Sequence, residues 1–229
     1  MSQTEHLFEK EIVKKVSLRY LLYLPKDYGK KPNAKWPMIL FLHGMGERGN
    51  NLELVKKHGI PKIVEKKDDF PFVVVSPQCP INSMWNMMVD ELHALVVDAV
   101  QRFNIDENRV YLTGLSMGGY GAWHLAAAYP DLFAAVVPIC GGMIHDKDIS
   151  EQIKGLKDMP IWIFHGAKDE TVPVENSKEL YDALKKLGGN VKLTIYPDLG
   201  HDSWTVTYDN PALYKWLLKQ KKQTKRSTR

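Results

Sequence analysis

Short apolar runs alternate with longer amphipathic stretches along almost the whole chain, the pattern of a parallel sheet covered by helices. Pro37-Met-Ile-Leu-Phe-Leu42 is apolar at nearly every position, as a strand buried on both faces requires. Leu18–Leu24, Phe72–Ser76, Val110–Thr113, Ala134–Ile139, Ile161–Phe164 and Lys192–Tyr196 are further strand candidates. An antiparallel strand near Ile12 would bring the sheet to about eight. Between these runs, Asp90–Phe103 sets Leu92, Leu95, Val96, Ala99 and Val100 on one helical face. Gly118–Tyr129 is small and apolar, suited to a helix pressed into the core, while Asn176–Leu187 and Ala212–Lys219 are amphipathic. The pattern predicts an α/β chain with a mostly parallel sheet and helices on both faces.

Length and charge narrow the picture. At 229 residues the chain can bury a large core without disulfide or metal staples. Residues 1–218 are expected to form one domain and 219–229 a basic tail. That tail carries six Lys or Arg and no acid, which leaves the rest of the chain near −2 despite the net +4. It has no aromatic residues, so it reads as a solvated end and not as a nucleic-acid arm. No apolar run approaches the roughly 18 residues of a membrane span. The start, Met1–Lys10, lacks the layout of a secretory signal. The cytoplasm is the expected compartment, although a mature form with its signal removed would read the same. Cys79 and Cys140 are the only thiols, too few for a disulfide framework and without zinc-site spacing. The expected partner is a small molecule, with no nucleic acid, membrane or metal.

Candidate chemistry lies in the loops after the strands. Gly114-x-Ser116-x-Gly118 falls between a predicted strand and a predicted helix. A serine hydroxyl attacks well only when it is exposed, set beside a base and close to oxyanion donors. A sharp strand-to-helix turn supplies the exposure and leaves room only for glycines at its flanks. Of the eight histidines, His201 follows the Lys192–Tyr196 strand and is the candidate base. His165 ends a strand but reads as structural; His124 sits within a predicted helix, and His58, His93 and His145 lack strand-end context. Asp169, after the Ile161–Phe164 strand, is the candidate acid, with Asp146 and Asp148 as alternatives. Chain order is then Ser, Asp, His. The loop Leu42-His-Gly-Met-Gly-Glu-Arg-Gly49 follows the Pro37–Leu42 strand and lacks the Gly-Lys-Ser/Thr ending of a nucleotide loop. The Met45 and Met117 amides are the expected oxyanion donors.

Together, His43-Gly44, Gly114-x-Ser116-x-Gly118, Asp169 and His201 closely resemble the α/β-hydrolase superfamily. Pro77-Gln-Cys-Pro80 with Trp85, Gly114-Leu-Ser-Met-Gly-Gly119 and His201-Asp-Ser-Trp204 make the chain look like the small phospholipase/carboxylesterase group. That group is related to feruloyl esterases and to predicted peptidases of the prolyl-oligopeptidase type. The resemblance runs from about Leu18 to Leu218. It implies an eight-stranded α/β-hydrolase sheet and ester hydrolysis without metal or organic cofactor. Only about twenty residues lie between Ile139 and Pro160, too few for a separate lid domain, so the site should be open. Trp85, Met88 and Gly44 are expected to line the substrate pocket. A feruloyl-type phenolic esterase, a peptidase and a non-catalytic ligand sensor are the competing readings.

Overall fold

The computed structural model describes residues 3–11, 13–30, 34–67, 69–144 and 148–222. Seven strands form its sheet: β1 (Tyr20–Tyr23), β2 (Trp36–Leu42), β3 (Val73–Pro77), β4 (Ile105–Leu115), β5 (Ala135–Ile139), β6 (Ile161–Gly166) and β7 (Val191–Tyr196). Their spatial order is β1-β3-β2-β4-β5-β6-β7. β1 pairs antiparallel with β3, and every other pairing is parallel. The strand expected near Ile12 is not seen: among the described residues no ladder precedes Tyr20, and Ile12 itself lies outside them. Its surroundings explain the difference. Leu7, Phe8 and Val13 are exposed and interspersed with charged Glu and Lys side chains, so that stretch offers no apolar face to a sheet.

Alternation along the strands fills two cores. In β2, Met38, Leu40 and Leu42 point into one layer, while Ile39 and Phe41 point into the other. Successive side chains of a strand face opposite ways, and an apolar run with no polar position therefore needs cover on both sides. One cover consists of α2 (Val89–Arg102), α3 (Met117–Ala128), α4 (Ile149–Ile153) and α5 (Glu175–Lys186). The other is made by α1 (Gly59–Val64), α6 (Trp204–Tyr208) and α7 (Pro211–Leu218). Leu92, Leu95, Val96 and Ala99 of α2 are buried, as their spacing predicts.

Between β5 and β6 the described chain holds only α4 and one short 3-10 turn. Among the described residues no helix is long and apolar enough to cross a membrane. Just after α7 two backbone groups are tied to the body: Tyr111 donates to the Gln220 carbonyl at 2.9 Å, and the Lys222 N–H donates to the Asn108 carbonyl at 3.0 Å, while Lys219 and Lys221 are exposed. Every parallel strand ends on the same edge of the sheet, and the loops that leave that edge carry all the candidate groups. In open α/β sheets this is the edge at which ligands bind.

Candidate active site

Ser116 sits between β4 and α3 with φ 52° and ψ −118°, in the positive-φ region that a non-glycine residue adopts only under tertiary constraint. The turn is too tight for side chains on its flanks. A Cβ at Gly118 would lie 2.0 Å from the Leu42 carbonyl oxygen, and one at Gly114 would lie 2.3 Å from that of Gly118. The Ser116 N–H donates to Ile139 at 3.0 Å, which ties the turn to β5 and leaves the hydroxyl facing outward.

The loops after β6 and β7 bring two more groups to this hydroxyl. His201 Nε2 lies 2.9 Å from Ser116 Oγ, and His201 Nδ1 lies 2.7 Å from Asp169 Oδ2. The other carboxylate oxygen of Asp169 accepts the Thr171 and Val172 amides, each at 2.9 Å. Burial pushes the Asp169 carboxyl up, but the hydrogen bonds from His201, Val172 and Thr171 together outweigh it and hold the group below its ordinary range. An Asp169 carboxylate in this position fixes the proton of His201 on Nδ1 and leaves Nε2 free to accept from Ser116. Of the two alternatives to Asp169, only one has a described position, and it is occupied elsewhere. Asp148 spends its side chain on capping α4, accepting the Ser150 amide at 2.9 Å, and Asp146 lies outside the described residues, as does His145.

Two buried histidines brace this arrangement. His165 is fully buried, with Nε2 2.9 Å from the Val172 carbonyl and 3.2 Å from Asp169 Oδ2. An atom facing two acceptors must carry the proton, so the neutral ring donates from Nε2 and accepts the Ser177 hydroxyl at Nδ1, 2.7 Å away. Burial lowers the His165 pKa, while the Val172 carbonyl and Asp169 work in the opposite direction. His43 is held in the same neutral state: burial drives it down to about 4, against the hydrogen bond to the Gly44 carbonyl. Its Nε2 accepts the Cys79 amide at 3.0 Å and its Nδ1 donates to the Gly44 oxygen at 2.6 Å. In a trans peptide the carbonyl and the following N–H point apart, so pinning the Gly44 carbonyl turns the Met45 N–H the other way. The Met117 N–H belongs to the first turn of α3, whose amides have no intrahelical acceptor.

These groups open onto a cleft of about 410 Å³ that Gly44, Met45, Met84, Ser116, Met117 and His201 help to line. Gly44 therefore sits where the pocket was expected, but Trp85 and Met88 do not line this cleft. Trp85 is 0% exposed and Met88 7%, both within the core under the site. The Trp85 indole donates to the His43 carbonyl at 2.9 Å, and its ring packs edge-on to the His43 ring at 5.0 Å. An indole with its N–H bonded and its faces covered belongs to the core. The cleft also takes in residues that sequence reasoning passed over, among them Glu47, His58 and Trp204. Glu47 stands inside the glycine-rich loop singled out for the oxyanion donors. His58 follows a polar stretch with no strand before it, so nothing in its local pattern marks it.

The sheet order, the strained serine turn after the central strand and the histidine and carboxylate in line with it define a serine hydrolase of the α/β-hydrolase class. The chain belongs to the phospholipase/carboxylesterase family, whose profile matches residues 70–210. It is similar to acyl-protein thioesterase 1 of Gibberella zeae, at 24% identity over 72% of this chain and 83% of that one. A bifunctional acetylxylan esterase/xylanase of Neocallimastix patriciarum is 26% identical over 85% of this chain, which spans 27% of that protein. Among solved structures, a thermostable esterase is 37% identical with a TM-score of 0.76, over 89% of this chain and 59% of that one.

Proposed function

We propose that the chain is a serine carboxylesterase that hydrolyses short-chain or aryl carboxylic esters through Ser116, His201 and Asp169. The observation that carries this reading is the unbroken hydrogen-bonded line from Asp169 through His201 to Ser116 at the floor of an open cleft. Ser116 Oγ attacks the ester carbonyl as His201 Nε2 takes its proton, and the oxygen that becomes negative is held by the Met45 and Met117 amides. Collapse of the tetrahedral intermediate breaks the bond to the alcohol oxygen, which His201 protonates. Water, deprotonated by the same imidazole, then attacks the acyl-enzyme and releases the acid with Ser116 restored. The short α4 segment between β5 and β6 supports small or aryl acyl groups over long chains, since among the described residues only it and one 3-10 turn stand there to cover an extended tail.

A panel of p-nitrophenyl acetate, butyrate, octanoate and palmitate tests the proposal, with methyl ferulate, a proline anilide and Ser116→Ala as the blank. Highest kcat/KM on acetate or butyrate is the expected outcome. Preference for ferulate would move the reading to a phenolic esterase, and turnover of the anilide alone would make it a peptidase. Residual hydrolysis by Ser116→Ala near the wild-type rate would overturn the nucleophile assignment.

A further inference from the structure

The proposed reaction makes no use of one carboxylate in the cleft. Glu47, in the turn after β2, is 4% exposed yet contributes to the same cleft as Ser116 and His201. Its backbone carbonyl accepts the Gln78 amide nitrogen at 2.8 Å, which anchors the residue from behind. Among the described residues its side chain has a single polar contact, His58 Nε2 at 3.9 Å, which is beyond hydrogen-bond reach. Glu47 is thus enclosed by protein on every side but the cleft, and its carboxylate takes its hydrogen-bond donors from whatever the cleft holds.

Ring contacts place this pair relative to the reacting bond. His201 packs edge-on to Trp204 at 5.2 Å, Trp204 packs edge-on to His58 at 5.6 Å, and His58 faces Glu47. His201 must deliver its proton to the alcohol oxygen when the ester splits. The wall that continues from His201 through Trp204 to His58 and Glu47 therefore flanks the alcohol half of the substrate.

Resting on the esterase reading, we propose that Glu47 and His58 form a subsite that reads a free hydroxyl on the alcohol. The preferred substrates are then partial esters of polyols or sugars, with a hydroxyl close to the ester. The 3.9 Å gap lets one hydroxyl oxygen sit within hydrogen-bond distance of both side chains, donating to the carboxylate while it meets the imidazole. Such a hydroxyl also aids the chemistry. Negative charge at Glu47, one turn from the Met45 amide, opposes the growing oxyanion, and a donated hydrogen bond draws that charge away from it. An anionic alcohol is repelled here. A quaternary ammonium would satisfy the carboxylate but offers His58 nothing to bond.

Competing acetates test the idea. The alcohols of 2-hydroxyethyl acetate and 2-methoxyethyl acetate differ in a donor and little in leaving ability, and acetylcholine supplies the cation. Wild-type kcat/KM is expected to favour the hydroxyethyl over the methoxyethyl ester by about tenfold or more, and Glu47→Gln should bring that ratio close to one. A wild-type ratio near one would overturn the inference even if the variant did not fold. So would a ratio that survives Glu47→Gln, or a preference for acetylcholine over both esters. Parallel turnover of p-nitrophenyl acetate separates the two readings. If that ester is hydrolysed while the ratio is near one, this inference alone fails; if no ester is hydrolysed, the esterase reading fails with it.

Discussion

His165 stands one residue behind the proposed triad and shares its acid. Its Nε2 proton is directed at the Val172 carbonyl and at the same Asp169 oxygen that accepts from His201. Losing a buried donor of this kind costs about 1–3 kcal/mol, and the loss should fall on the orientation of His201. His165→Leu is expected to lower kcat by about 10- to 100-fold with KM little changed. His165→Gln, which can place an amide donor near the same point, should recover part of it. A His165→Leu enzyme with wild-type kcat would remove the histidine from the mechanism. His43 yields a prediction on stability. Its pKa falls to about 4 in the folded chain, against about 6.5 in an unfolded one. Between those values the unfolded state binds a proton that the folded state refuses, so stability drops as pH falls through the window, by on the order of 3 kcal/mol. Asp169, with its carboxyl lowered, adds a loss of the same sign at lower pH. Thermal melts from pH 7 to 4 should therefore fall more steeply for wild type than for His43→Gln, and parallel curves would contradict the assignment.

At the scale of elements, the strands and helices that sequence periodicity exposes are those buried over most of their length. β2 reads plainly because both of its faces are covered. β4 does not: Val110–Thr113 carries the apolar signal, but the strand begins at Ile105 and runs through Asp106, Glu107, Asn108 and Arg109. That half bends past a register shift against β2, and Arg109 pairs with Asp106 at 2.6 Å, so no alternation survives there. α1 and α6 are six and five residues long, shorter than two helical turns, and a period cannot show itself over so few positions. The serine turn was legible because its glycines are forced by backbone contact. Trp85 was misplaced because a strand-end loop can turn its side chains to either side, and pattern does not say which. Its burial now reverses the expectation: Trp85→Ala should cost about 3–5 kcal/mol in chemical denaturation and leave the ester chain-length profile unaltered. A stable variant with a changed profile would return Trp85 to the pocket.

At the scale of the whole molecule, the two apolar layers are not separable bodies, because the same strands make both. Tyr111 of β4 lies in one layer and Leu112 in the other, and β5 divides Val136 from Val137 in the same way. Chains of more than about 150 residues often unfold through intermediates, but here the shared strands work against a separate transition of either layer. Stripping α1, α6 and α7 away would expose one full face of β2, β4 and β5, and those strands cannot keep the opposite face packed while losing half their cover. The proposed site spans the same divide: Ser116 starts α3 on one layer, whereas His201 precedes α6 on the other. Connectivity should therefore win. We expect Trp123, buried in one layer, and Trp216, packed against the other, to report the same denaturation midpoint when each is followed by its own fluorine NMR signal in fluorotryptophan-labelled protein. Esterase activity should be lost at that midpoint too. A Trp216 transition well before that of Trp123 would mean that the α1–α6–α7 layer opens by itself. Activity would then vanish with that first transition, because His201 is carried by the layer that leaves.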